Sequence, residues 1–315
     1  MTVHVISVGL SLVELFEAGR EAKKPLPTIT EIRDLWETQR LGLDEWGQRL
    51  EEAFGLEASD DSEALACFQK LAEEVGADRW AGCEGLSAEL DTLHKTAGTP
   101  LPTSDAAFLI SSDTEDGQAA AVWTAIALAE GDASRVCYLP DVVEETPLVR
   151  AEPNRVYVVR IPGLDATSDT AFHTPMERMG RLGRLLVGGD RTERFTRPGE
   201  PIKFHLSGGY RATTPYLIAL AEWLRSLEHT SGEVTAWVLP EKATRSFRVP
   251  LRRLRPEWVR SELAGFDRGG WRARPPGDDL LKDYAYERDG MGVHLTAFGM
   301  GMRALFGVDD EPVPQ

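Results

Sequence analysis

Short apolar runs recur along this chain, with helix-patterned stretches between them. Val3 to Val8 is apolar and β-branched and stops at Gly9, the pattern of a strand buried on both faces. Ala106 to Ile110, Arg135 to Leu139, Val156 to Ile161, Ile202 to Leu206 and Val234 to Leu239 repeat that pattern. Leu12 to Glu21, Gln118 to Glu130, Thr174 to Leu186 and Thr213 to His229 read as helices. From Thr28 to about Thr96, Glu, Leu, Ala and Trp stand at helical spacing, with breaks near Gly55 to Asp61 and Gly82 to Gly85. Strands that alternate with helices predict an α/β fold of the Rossmann-like kind, a mainly parallel sheet with helices on both faces. Ligands of such folds sit at the carboxyl ends of the strands. That rule selects three loops: Gly9-Leu10-Ser11, Ser111 to Gly117, and Ser207 to Arg211.

The pattern changes after about Pro240, which divides the chain into 1–240, a ligand-binding domain, and 241–315, a C-terminal extension. Tyr284 to Leu305 reads as strand, tight turn at Asp289-Gly290, strand and helix, like the wing and last helix of a winged-helix domain. Between Arg245 and Arg274 stand nine arginines against three acids (Glu257, Glu262, Asp267), a local balance of +6. An acidic, Pro-bearing tail follows Val308.

Length and charge narrow the chemistry. The 315 residues suffice for a large domain plus a small one with a well-buried core. A net charge of −16 argues against a general polyanion-binding surface, so an anionic ligand must be held by a local site. Cys67, Cys83 and Cys137 fit no zinc spacing and no disulfide framework. They read as reduced thiols of a cytoplasmic protein, with no metal and no cofactor. The first residues lack the basic start and long apolar run of a signal peptide, and no segment approaches membrane-spanning length. No membrane partner is expected.

Phe204 to Tyr216 carries the strongest local chemistry: a strand, a glycine turn and a helix start that together suit a phosphate. Two glycines after a strand permit positive φ and close approach of the backbone to a ligand. Successive N–H groups in such a turn form an anion-binding concavity, and the helix start adds its dipole. Ser207 offers a hydroxyl, and Arg211 a planar donor fork suited to phosphate. The structural alternative is a plain Gly-Gly turn with a surface arginine. Ser111, Ser112, Asp113, Thr114 and Gly117 form the second loop. It reads either as an N-cap with Asp113, Thr114 or Asp116 as the capping residue, or as a contact surface for adenine and ribose edges. Ser11 has the same two readings, helix cap or ligand contact.

Together these motifs resemble the CARF domains of type III CRISPR systems, and within them the branch found in Csm-type accessory ribonucleases. The resemblance rests on Val8-Gly9-Leu10-Ser11-Leu12, Ser112-Asp113-Thr114 with Gly117, and Ser207-Gly208-Gly209-Tyr210-Arg211 before Pro215-Tyr216-Leu217. Ser87-Ala88-Glu89-Leu90, and Trp237 to Glu241 followed by Val249-Pro250-Leu251, fit as well. The likeness covers roughly Met1 to Leu251 and implies a homodimer whose two-fold pocket binds a cyclic oligoadenylate, tetra- or hexa-adenylate, in antiviral signalling. It implies ligand contacts from Gly9, Leu10, Ser11, the second loop, and Ser207 to Arg211, with Ser11 and Arg211 as catalytic residues. Two positions depart from the family: Arg211 stands where lysine is usual, and Leu10 where threonine is usual. Phosphate binding survives the first change, whereas a mechanism needing a deprotonable lysine does not.

Family members usually carry an effector domain, most often a HEPN ribonuclease with an Arg…His motif. Arg288 and His294 have that spacing, but Asp289-Gly290 and Gly292 make the segment a turn, so His294 reads as a wing residue. Two functions remain. One is a metal-independent ring nuclease that cuts the messenger through attack of a ribose 2′-OH, leaving a 2′,3′-cyclic phosphate. The other is a messenger-gated regulator whose C-terminal arginines bind nucleic acid without catalysis.

Overall fold

The computed structural model describes residues 1–10, 43–75, 87–97, 101–143, 146, 154–165, 172–188, 195–209, 213–227, 233–240 and 243–308. The expected helix Leu12 to Glu21, the break at Gly82 to Gly85, and Ser11, Tyr210 and Arg211 lie outside the described residues.

Seven strands form the main sheet: β1 (Val3–Ser7), β2 (Ala106–Ser111), β3 (Val136–Leu139), β4 (Val156–Arg160), β5 (Ile202–His205), β6 (Val234–Val238) and β7 (Phe247–Val249). Their order is β3-β4-β2-β1-β5-β6-β7. The first six are parallel, and β7 closes one edge antiparallel to β6. All residues of β1 and β2 are buried, as expected of strands covered on both faces.

One face is covered by α1 (Leu43–Phe54), α2 (Glu63–Val75), α3 (Ala88–Ala97) and α4 (Glu115–Leu128). Helix α4 is apolar almost all round, and every residue from Gly117 to Leu128 is buried. Such a helix needs cover beyond the sheet, and Phe68 of α2 supplies some of it against Trp123, with ring centroids 6.0 Å apart.

The other face is covered by α5 (His173–Val187), α6 (Thr214–Ser226) and a C-terminal unit. That unit contains α7 (Pro256–Leu263), a three-stranded antiparallel sheet ordered β8-β10-β9, and α8 (Ala297–Phe306). In it, β8 is Trp271–Arg272, β9 Tyr286–Asp289 and β10 Gly292–Leu295. The hairpin turns at Asp289-Gly290, and His294 lies on its second strand, paired with Asp289 at 2.6 Å. Sequence reading located this hairpin and the helix after it but missed β7, α7 and β8. Those three are short, and Phe247, Trp258 and Trp271, which dominate them, are at least a third exposed. Elements of two, three and eight residues are too short for a periodic pattern to stand out in sequence.

Helix α8 is not presented to solvent like the reading helix of a nucleic-acid module. Gly299 to Phe306 are buried, and α8 lies across α5 with the two backbones almost touching. A Cβ on Gly180 would fall 2.1 Å from the Gly301 carbonyl oxygen, and one on Gly301 would fall 2.7 Å from the Met176 carbonyl oxygen. Val259, Leu263, Tyr286, Val293 and Met302 therefore share one continuous core with Met176, Met179 and the sheet.

In an open helix Gly→Ala gains about 1 kcal/mol of propensity. At this crossing the added methyl meets backbone that no rotamer can move aside, and overpacking costs about 1–3 kcal/mol or more. Gly180→Ala and Gly301→Ala are each expected to lower unfolding stability by about 2 kcal/mol in urea titrations. Gly277→Ala, where a methyl meets open space, is expected to change it by less than about 0.5 kcal/mol.

Candidate functional site

The order of the strands creates a switch point beside β1. The chain leaves β1 toward β2 on one side and later returns to β5 on the other. The carboxyl ends of these three neighbouring strands carry the three loops selected from sequence, and in open α/β sheets such a point forms a crevice.

Backbone approach there is unusually close. A Cβ on Gly9 would lie 2.9 Å from the Gly209 amide nitrogen. Gly209 has φ +94°, and a Cβ on it would lie 1.7 Å from Ser7 Oγ. Both positions require glycine, one for space and the other for space and conformation. Ser7 Oγ also lies 3.3 Å from Thr213 Oγ1, which ties β1 to the segment that opens α6.

A side chain not singled out as a site residue organises this junction. Glu89, in the first turn of α3, is 2% exposed. Its Oε1 accepts 2.7 Å from the Gly9 amide and 3.1 Å from the Gly209 amide. A Cβ on Gly208 would fall 2.2 Å from the same oxygen. One amide of the glycine turn and one of the first loop thus converge on a carboxylate oxygen of the protein itself. Ser207 Oγ accepts from the Leu239 amide, which leaves its own proton to donate. The sequence signal for Glu89 was slight: an acid after Ser87, a residue that caps α3 by accepting from the Leu90 amide at 3.2 Å. An acid in a first turn is ordinarily read as a partner of the helix dipole.

In the second loop Thr114 is the N-cap of α4, with its hydroxyl accepting from the Gly117 amide at 3.1 Å. Ser112 Oγ lies 3.0 Å from Thr114 Oγ1, and Gly117 leaves room for both, since a Cβ there would fall 1.9 Å from Ser112 Oγ. Asp113 turns away toward β4, pairing with Arg160 at 2.7 Å and accepting from the Gly163 amide at 2.7 Å. Ser111 is fully buried and donates to the Ser112 carbonyl. Ser112 and Thr114 are thus the hydroxyls nearest the loop surface, while Asp113 and Ser111 hold the loop's shape. Leu10 is 40% exposed beside Gly9.

Beneath the junction runs a buried polar chain. His4 Nδ1 lies 3.0 Å from His205 Nε2, His4 Nε2 3.4 Å from Asp105, and His205 Nδ1 3.2 Å from Thr96 Oγ1 on α3. Burial pushes both imidazoles below their ordinary pKa, His205 well below, and Lys203 pushes the same way on each. Burial works to raise Asp105, but hydrogen bonds from His4, the Thr2 amide and Ser104 outweigh it and hold the group at about 2. Helix α3 is therefore fastened twice, by Glu89 to the loops and by Thr96 to His205.

Away from the switch point, a cleft of about 880 Å³ opens at the carboxyl end of β3 between α1 and α2. Glu51, Glu52, Glu57, Glu63 and Asp141 line it, a composition that repels an oligonucleotide. Among the described residues no group of three His, Cys, Asp or Glu could hold a metal ion, and no helix is long and apolar enough to cross a membrane. Cys67 and Cys137 are not joined in a disulfide. No protein-family model matches this chain, and no curated protein matches it.

The histidine chain gives stability a definite pH dependence. Unfolded imidazoles take up protons as pH falls through about 6.5, while the folded pair resists protonation. Stability is expected to be level above about pH 7. It should decline below about pH 6.5 by up to about 2.7 kcal/mol per pH unit for the two groups. Asp105 adds a loss only below about pH 4, as the pH falls from its unfolded value toward about 2. Denaturant midpoints between pH 8 and pH 5 check this, and a midpoint independent of pH would contradict the buried neutral pair.

Proposed function

We propose that this protein binds a cyclic oligoadenylate at the β2–β1–β5 switch point of a homodimer and cleaves it without a metal ion. One observation carries the reading: the three loops chosen from sequence end on adjacent strands, and two of them touch through Gly9 and Gly209. The Ser112, Thr114 and Ser207 hydroxyls at these strand ends suit phosphate and ribose groups. The motifs that resemble CARF domains supply the ligand class. A ring of identical nucleotides matches a two-fold site, because each subunit offers the same loops to equivalent nucleotides.

Cleavage needs little from the protein beyond geometry and charge. A ribose 2′-oxygen attacks the adjacent phosphorus, the bond to the 5′-oxygen of the next nucleotide breaks, and a 2′,3′-cyclic phosphate forms. The 2′-hydroxyl proton leaves to solvent, and the departing 5′-oxygen gains one. Ser11 would orient the ribose or phosphate, and Arg211 would stabilise the charge that grows on the phosphorane oxygens. Turnover is expected to be slow, since no dedicated proton acceptor is assigned.

A second reading, a regulator that contacts nucleic acid, has one observation in its favour. Of the nine arginines between Arg245 and Arg274, Arg252 is bound to Glu222, Arg255 stacks over Trp258, and Arg260 and Arg272 reach carbonyls. Arg245, Arg248, Arg253, Arg268 and Arg274 are exposed and make no ion pair among the described residues. Exposed guanidinium groups beside an exposed Trp suit phosphates and stacked bases.

Incubation with cyclic tetra- and hexa-adenylate in a chelator is expected to yield linear products ending in 2′,3′-cyclic phosphate. Arg211→Ala should weaken ring binding at least tenfold, and unchanged affinity would remove the pocket from consideration. Rings that bind yet stay intact after long incubation at high enzyme concentration would exclude the nuclease. In that case, salt-dependent DNA binding that is lost on adding the ring, and lost in an Arg245, Arg248, Arg253 triple alanine variant, would establish the regulator.

A further inference from the structure

We infer that Glu89 is a built-in competitor for the messenger's phosphate, so that the site admits its ligand only when this carboxylate leaves the Gly9 and Gly209 amides. The inference rests on the ring-binding reading above and concerns what regulates that same site. Glu89 Oε1 lies 2.7 Å and 3.1 Å from the two amides, the distances at which a phosphate oxygen would be held. It also occupies the space against Gly208, where no side chain could stand. Two anions cannot share this position, and at such separations in a partly dry site their repulsion is strong.

The surroundings determine how the carboxylate can move. Leu90 and Leu93 anchor α3 in the core on its face of the sheet, and Thr96 bonds to His205. The helix as a whole is held, and its first turn carries the Ser87 cap, the Asp91 amide on the Ser87 carbonyl and the Thr92 hydroxyl on the Ala88 carbonyl. Rotation of Glu89 with loosening of that first turn releases both amides and leaves the rest of α3 seated. The ligand phosphate then takes the carboxylate's place between the β1 and β5 loops. A neutral nucleoside brings no charge for this exchange and gains nothing from it. Glu89 thereby sets a threshold that excludes ligands without a well-placed phosphate.

Glu89→Gln keeps an oxygen that can accept from both amides and removes the charge. Cyclic tetra- and hexa-adenylate are expected to bind E89Q at least tenfold more tightly than the unaltered full-length protein in calorimetric titration, with adenosine binding unchanged. Hydrogen exchange on the unaltered protein should show protected Gly9 and Gly209 amides without ligand. It should show faster exchange across Ala88 to Asp91 when a ring is bound. Equal or weaker ring binding by E89Q, with the unaltered protein binding well, would overturn the competitor and leave the function standing. Glu89→Asp, which withdraws the charge by one methylene, provides the same comparison if E89Q does not fold: tighter binding supports the inference and unchanged binding overturns it. Absence of ring binding by the unaltered protein and by both variants would overturn the proposed function, and the competitor with it.

Discussion

The contact between the Glu89 carboxylate and the Gly9 and Gly209 amides is the point on which the switch-point architecture turns. It joins α3 to the ends of two adjacent strands. A buried carboxylate is tolerable only when its oxygens are hydrogen-bonded, and buried amides equally need an acceptor. Each side of the contact therefore makes the other necessary. The three glycines follow from the same constraint, since a methyl at Gly9, Gly208 or Gly209 would meet backbone, the carboxylate or Ser7. Ser7 itself reaches Thr213, so the start of α6 is drawn into the arrangement.

Much of this was legible in the residues. The central strands announce themselves because burial on both faces demands unbroken apolar runs, which is why β1, β2, β4 and β5 fall within a residue or so of their expected bounds. The loops were legible because a parallel sheet offers chemistry at one end only. Glu89 was not, because its meaning lies in two amides that stand 80 and 120 residues away in sequence. The His4 and His205 pair was hidden for the same reason: the two rings meet across strands that are 201 residues apart in sequence. Asp113, whose loop position suggests a cap or a ligand contact, has a partner that its own segment does not announce: the nearby end of β4 supplies Arg160, which binds it. The place of β3 at the sheet edge, outside β4, is likewise a matter of long-range pairing that periodicity does not encode.

The C-terminal unit also changes meaning in three dimensions. Its sequence break near Pro240 and its positive charge suggested a separate module, and the hairpin at Asp289-Gly290 resembled a wing. Its interior nevertheless continues the main core through Tyr286, Val293 and Met302. Arg303, 5% exposed, donates to the Asp267 and Arg268 carbonyls and so ties α8 to the loop before β8. What remains distinct about the unit is its surface: exposed arginines on a body whose total charge is −16. Opposed regions of charge on one molecule orient it toward polyanions at low salt even where net charge would repel them.

The Gly180–Gly301 crossing has a consequence for how the chain is made. Helix α5 and the sheet face beneath it are complete once the chain has been synthesised to Val249, yet the helix that covers them ends at Phe306. Chains fold from the N-terminus as they emerge from the ribosome, and uncovered apolar faces are where nascent proteins aggregate. The α1–α4 face can close early from contiguous segments, whereas the α5–α6 face stays open until α8 arrives and its glycines let it settle against α5. The interval between those two events is when the nascent protein most needs a chaperone.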